Sequence, residues 1–131
     1  MNDPSPFAQE GFDLMAAAFE VHNEQGGGLV EEIYQESLEI ELQLRSIAFT
    51  PRPEILVFYK GRTLKRRFVP DLVVLDRLVV VELKSMKLLL PEHEAQLMNY
   101  MRITRQPVGY LINFGPIGKV EWKRFVLSEF A

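Results

Sequence analysis

Asp71, Glu82 and Lys84 are the residues of this chain whose types and spacing could do chemistry. They stand in Val69-Pro70-Asp71, a short apolar run, and Val81-Glu82-Leu83-Lys84. A hairpin turning between Asp76 and Arg77 sets Leu75 against Leu78, Val73 against Val80 and Asp71 against Glu82. Residues opposed across an antiparallel pair share a face, with Cβ atoms roughly 4.5–5.5 Å apart. The two-residue period puts Lys84 on the Glu82 face and turns Leu83 towards the core. Two carboxylates that close repel each other unless a proton or a cation lies between them. An ammonium two residues along completes a divalent-metal site with a charged helper, the parts that phosphodiester hydrolysis requires.

Asp-Arg is a poor two-residue turn, since the favoured pairs are Asn-Gly and Asp-Gly. A four-residue loop centred at the same place preserves the pairing, and an odd-length loop breaks it. The plain alternative is a solvated strand end carrying an ordinary mixture of charges. Against it, strands are poor in Asp and Glu, and Leu78-Val79-Val80-Val81 is apolar enough for a buried central strand.

The elements that must position these groups follow from the rest of the chain. Phe12, Met15, Ala16, Phe19 and His22 recur at helical spacing over about residues 7–25, and Gly26, Gly27 and Gly28 end that helix. A second helix is expected from Leu29 to about Arg45, with Leu29, Ile33, Ile40 and Leu44 on one stripe and Tyr34 and Leu38 beside it. Ile55–Tyr59 and Thr63–Val69 read as strands around a Lys60-Gly61 turn, followed by the Asp71 and Glu82 strands. A third helix starts at Pro91 and reaches about Thr104, and strands follow over Val108–Phe114 and Val120–Leu127. The order ααββββαββ predicts an α/β fold with a mixed sheet flanked by helices.

At 131 residues, 47% apolar and 25% charged, one globular domain spanning residues 1–131 is expected, with residues 1–6 a loose tail. There is no cysteine, so a metal must be held by oxygen or by His22 and His93, and oxygen-rich sites favour magnesium or manganese. No apolar run approaches ~20 residues and no secretory signal is evident, so a cytoplasmic protein without a membrane partner is the expectation. The net charge of −3 argues mildly against nucleic acid. Its distribution offsets this: Lys60, Arg62, Lys65, Arg66 and Arg67 crowd one segment, and Lys119, Lys123 and Arg124 another. Basic patches on an acidic protein can still contact phosphates; a solvated hairpin is the simpler reading of the first.

Further candidates flank the carboxylate pair. Glu31, Tyr34 and Leu38 share one face of the second helix, and Gln96, Tyr100 and Ile103 align on the third with His93 one turn earlier. Together these strings resemble a known family. Pro70-Asp71, ten residues, then Glu82-Leu83-Lys84 resembles the signature of the PD-(D/E)xK nuclease superfamily, and Gln96 to Tyr100 resembles the QxxxY motif of its RecB-like branch. Gly28-Leu-Val-Glu31-Glu-Ile-Tyr34 is similar to the motif that names the GxxExxY family, whose pattern runs from about Phe12 to Arg124.

The resemblance implies a restriction-endonuclease-like core and a metal-dependent nuclease, with DNA rather than RNA as the expected substrate. It implies that Asp71, Glu82, the Leu83 carbonyl and Glu31 bind magnesium or manganese. Lys84 would position or activate the attacking water, and Gln96 and Tyr100 would orient the site or contact the substrate backbone. Some RecB-like relatives place a metal-binding histidine near the position of His22; packing within the helix is the other reading of that residue. A catalytically silent module that binds nucleic acid or a protein partner is the alternative function, and a homodimer or partner would supply the surface that so short a chain lacks.

Overall fold

The computed structural model describes residues 6–76 and 78–131; residues 1–5 of the expected tail 1–6, and Arg77 of the expected turn, lie outside the described residues. The elements run α1 (Ala8–Gln25), α2 (Glu31–Leu44), β1 (Phe49–Pro51), β2 (Ile55–Tyr59), β3 (Arg62–Phe68), β4 (Leu72–Val74), β5 (Val79–Lys84), α3 (Pro91–Thr104), β6 (Val108–Asn113) and β7 (Glu121–Val126), with a closing 3-10 turn. The order has one more strand than the sequence predicts. β1 is only three residues long and ends in proline, too short to show alternation, and it forms because β4 offers an edge: Phe49 pairs with Val74 and Pro51 with Leu72.

The main sheet has the order β1-β4-β5-β6-β7. β5 and β6 are parallel, joined by the crossover through α3, and the other pairs are antiparallel. β2 and β3 form a separate two-stranded sheet rather than extending the main one. Within the main sheet β5 is central and continuously apolar until Glu82, as expected of a strand covered on both faces.

Two cores result from the two-residue period of β5. Val79, Val81 and Leu83 pack with Leu14, Ala18, Val21, Tyr34 and Leu38 of α1 and α2. Val80 faces the other way, into a cluster with Leu97 and Met101 of α3 and with Ile55, Val57 and Phe68 of the hairpin. Each fully buried leucine in these clusters contributes about 1.5–3 kcal/mol relative to exposure.

On α2 the buried row is Tyr34, Gln35, Leu38 and Leu42. The expected stripe of Leu29, Ile33, Ile40 and Leu44 is exposed, Ile40 to 57% and Leu44 to 75%. Both rows have helical spacing, and the row that docks includes Tyr34, whose ring fits flat on Phe114 with centroids 4.6 Å apart. On α1, Met15 and His22 are buried as the spacing predicts, whereas Phe12 and Phe19 are exposed; the deepest contacts come from Leu14, Ala17, Ala18 and Val21. Among the described residues no helix is long and apolar enough to cross a membrane.

Candidate active site

β4 and β5 pair Leu72 with Val81, Val73 with Val80 and Val74 with Val79. Continuing that register by one residue sets Asp71 opposite Glu82. In the connection between Val74 and Val79, Leu75 and Asp76 are both at positive φ, and the Leu78 N–H donates to the Leu75 carbonyl at 3.1 Å. Leu and Asp thus adopt backbone angles that glycine or asparagine usually supply.

Each carboxylate is tied to the opposite strand. The Asp71 N–H donates to Glu82 Oε1 at 3.2 Å, and the Leu83 N–H donates to Asp71 Oδ2 at 2.5 Å. The Asp71 carbonyl is fixed as well, accepting from Gln35 Nε2 at 2.8 Å and from the Arg52 N–H at 3.0 Å. Burial pushes the Glu82 carboxyl up to about 7; the neighbouring Asp71 carboxylate adds to the rise and the Lys84 ammonium opposes it. Burial likewise raises Asp71, against the Leu83 amide, with the Glu31 charge adding to the rise and Lys84 and Arg52 opposing it. The site is thus a partly buried pair of acids with unusually high proton affinity, which is the condition a cation relieves.

The motif residues on α2 have separable tasks. Gly28, at φ +86°, turns the chain into the helix. The Tyr34 hydroxyl donates to the Gly26 carbonyl at 2.6 Å and accepts from the Leu29 N–H at 3.0 Å, so it clamps the loop before the helix. Glu31 then occupies the first turn, where the helix dipole favours an anion. It is exposed, and its charge reaches both Asp71 and Glu82.

α3 lies on the Val80 side of the sheet, the face to which Glu82 and Lys84 also belong by their spacing. Gln96 is exposed there, and the half-buried Tyr100 stacks on Phe68 with centroids 4.3 Å apart. Tyr100 therefore braces the base of β3, three residues before Asp71. The two histidines are both engaged: His22 Nε2 lies 2.8 Å from the Pro116 carbonyl, and His93 Nδ1 accepts the Leu90 N–H at 3.1 Å, capping α3. The structure thus brings Asp71, Glu82 and Lys84 together with Glu31 at their margin, and sets Gln96 and Tyr100 on the adjoining helix.

A divalent ion fits the chemistry of this donor set, which is all oxygen: the Asp71 and Glu82 carboxylates and the Leu83 carbonyl. Neither carboxylate is ion-paired among the described residues, where the ion pairs are Arg45–Glu41 and Arg52–Glu32. No three His, Asp or Glu side chains among the described residues are gathered closely enough to hold one ion together. Glu31 in this arrangement acts on the pair through its field.

Two further residues, with no role assigned to them above, help to position the site. Gln35 is buried and bonds both the Asp71 carbonyl and Glu39 Oε2; its place four residues after Glu31, on the same helix face, was the available signal. Asn113 is fully buried and fully bonded. Its Oδ1 accepts from the Met86 and Gly115 N–H groups, and its Nδ2 donates to the Met86 carbonyl and Glu121 Oε1. That holds the loop leaving Lys84 against the end of β6. The loop's Met86–Leu90 run is itself divided, with Leu89 buried and Leu88 and Leu90 exposed.

The chain matches the PD-(D/E)XK nuclease superfamily over residues 8–125, and it belongs to that superfamily. Among solved structures it is similar to one described as the crystal structure of SSO0001, with a TM-score of 0.58 and 19% sequence identity. The match covers 92% of this chain and 59% of that one, so this chain spans well under two thirds of its structural neighbour. The likeness is one of fold, an α/β core of restriction-endonuclease type with its mixed sheet flanked by helices. No curated protein matches.

Proposed function

We propose that this protein is a metal-dependent nuclease-type phosphodiesterase acting on DNA. The observation that carries the proposal is the pairing of Asp71 with Glu82, two partly buried acids bonded across neighbouring strands, beside Lys84. Asp71, Glu82 and the Leu83 carbonyl would hold magnesium or manganese, with Glu31 adding its negative charge from the first turn of α2. Once bound, such an ion supplies charge neutralisation of the phosphoryl group and a more acidic water. Lys84 would orient the attacking water and offer an ammonium to the charge developing on the phosphoryl oxygens. Gln35 keeps the Asp71 backbone in place while the carboxylate carries its load. Gln96 and Tyr100 orient the site or meet the substrate backbone from α3.

The Gly28-x-x-Glu31-x-x-Tyr34 and Gln96-x-x-x-Tyr100 strings support placement in the GxxExxY family of the RecB-like branch. The roles of Gly28 and Tyr34 in shaping the approach to Glu31 support the first string physically. We read the chain as a single domain working in the cytoplasm, alone or as a homodimer. The wide setting of Glu31 favours the second reading, a fold that binds nucleic acid or a protein without turnover. Incubating protein with supercoiled plasmid, linear duplex, single strands and RNA, with manganese or magnesium, separates the two. Cleavage of DNA that vanishes in Lys84→Ala supports the nuclease; intact substrates throughout contradict it.

A further inference from the structure

The β2–β3 hairpin is the most basic part of an acidic molecule. Between Ile55 and Pro70 there are five cations, Lys60, Arg62, Lys65, Arg66 and Arg67, and no Asp or Glu. The ladder of this hairpin slips in the middle of that run. Leu56 pairs with Arg67 but Phe58 pairs with Thr63, so Leu64, Lys65 and Arg66 stand against the single residue Val57. Such a bulge leaves backbone groups without ladder partners and re-aims the side chains on it. Here Arg67 Nη1 turns back to bond the Leu64 carbonyl at 2.6 Å and the Lys65 carbonyl at 3.1 Å. One arginine is thus spent on holding the bulge, which leaves Lys65 and Arg66 exposed beside it. They and Arg67 line an open groove of about 500 Å³ with Val69 and Glu54.

Exposed rings accompany these charges. Phe58 is 46% and Tyr59 62% exposed. Phe58 also borders a second groove, of about 560 Å³, whose other walls include Arg102 and Arg105 at the end of α3. The inner side of the hairpin is anchored by Ile55, Val57 and Phe68 packed on α3, so the arm is fixed relative to the sheet. From Lys65 the chain reaches Asp71 in six residues, past the end of β3 at Phe68, a span of at most about 20 Å. In the other basic cluster Arg124 is taken up by packing, bonding the Tyr110 hydroxyl and the Pro6 carbonyl, while Lys119 and Lys123 are exposed.

We propose that the β2–β3 hairpin is a nucleic-acid-holding arm that takes a single strand, its bulge cations Lys65 and Arg66 gripping phosphates while Phe58 and Tyr59 stack on unpaired bases. Cations track a phosphate backbone without reading sequence, and aromatic faces beside them select strands whose bases are free to stack. The proposal deepens the nuclease reading, because the arm delivers the strand to Asp71 and Glu82.

The test is fluorescence anisotropy of a labelled single-stranded oligonucleotide and of its duplex, in EDTA so that nothing is cut. Wild type is expected to bind the single strand more tightly than the duplex. Lys65→Ser with Arg66→Ser is expected to weaken single-strand binding at least tenfold and to lower the salt slope by about 1.4. Phe58→Ala is expected to weaken the single strand and leave the duplex unchanged. Lys119→Ser with Lys123→Ser, which removes the same charge elsewhere, is expected to bind as wild type, and melting curves check that each variant is folded. Wild-type affinity in the hairpin variants, a preference for duplex, or no binding by wild type overturns the arm. A parallel manganese cleavage assay keeps the readings apart: lost binding in the hairpin variants with no cleavage by wild type supports the arm and counts against the nuclease alone.

Discussion

The two faces of β5 carry opposite demands on one six-residue strand. One face presents Val79, Val81 and Leu83, all buried against α1 and α2. The other begins with Val80 in the α3 cluster and then presents Glu82 and Lys84, partly buried and charged. The apolar face stabilises the fold, while the charged face works against it: burial alone pushes Glu82 away from its ionised form. The difference teaches that here the candidate site is held in place by its back. Leu83, between the two charged residues in sequence, is buried on the far side and fixes where they stand.

That contrast can be broken from either side. The largest expected effect is on cleavage: Glu82→Gln is expected to cost about a hundredfold or more, the scale of losing several kcal/mol of charge stabilisation. Its melting temperature is expected to equal or exceed that of wild type, because a strained acid has gone. Leu83→Ala is expected to behave in the opposite way, losing about 2–5 kcal/mol of stability to a cavity in the α1–α2 core. Urea melts of both variants beside the cleavage assay make the comparison; a Glu82→Gln protein destabilised as much as Leu83→Ala contradicts it.

A smaller effect concerns pH. A carboxyl whose folded pKa lies above its unfolded one contributes stability that is present below the unfolded pKa and lost as pH rises through the folded pKa. Glu82 moves from 4.5 to about 7, and Asp71 shifts in the same direction. Metal-free protein is therefore expected to lose stability between about pH 4.5 and pH 7, by on the order of 3 kcal/mol at most for Glu82. Manganese at pH 8 is expected to restore it. Thermal melts in EDTA at pH 5 and pH 8 read this directly, and a flat profile would mean the acids are not strained. Smaller still, Gln35→Leu is expected to cost about 1 kcal/mol, since the Asp71 carbonyl keeps the Arg52 N–H. Its cleavage rate is expected to fall about tenfold through a looser Asp71, with KM unchanged in steady-state assays.

The opposition of Asp71 and Glu82 was legible by counting, because a two-residue period and an even loop leave one register. α3 was legible at both ends, at Pro91 and at Thr104. What the sequence could not show was which of two helical rows on α2 docks. Ile33, Ile40 and Leu44 are as periodic as Tyr34, Leu38 and Leu42, and the choice is made by the flat fit of Tyr34 on Phe114. Nor does pairing within a hairpin reveal whether it joins the main sheet, so the separate β2–β3 arm and its bulge emerge only in three dimensions. Gln35 was hidden because a polar residue in a helix reads as exposed until its partner, here a backbone carbonyl far along the chain, is known.

The central claim is that Asp71 and Glu82 form one cation-binding site. Calorimetric titration of manganese into wild type and into Asp71→Ala tests it most directly. The account predicts binding by wild type, with proton release near pH 7, and its loss in the variant. No binding by folded wild-type protein, or equal binding by both, would contradict it.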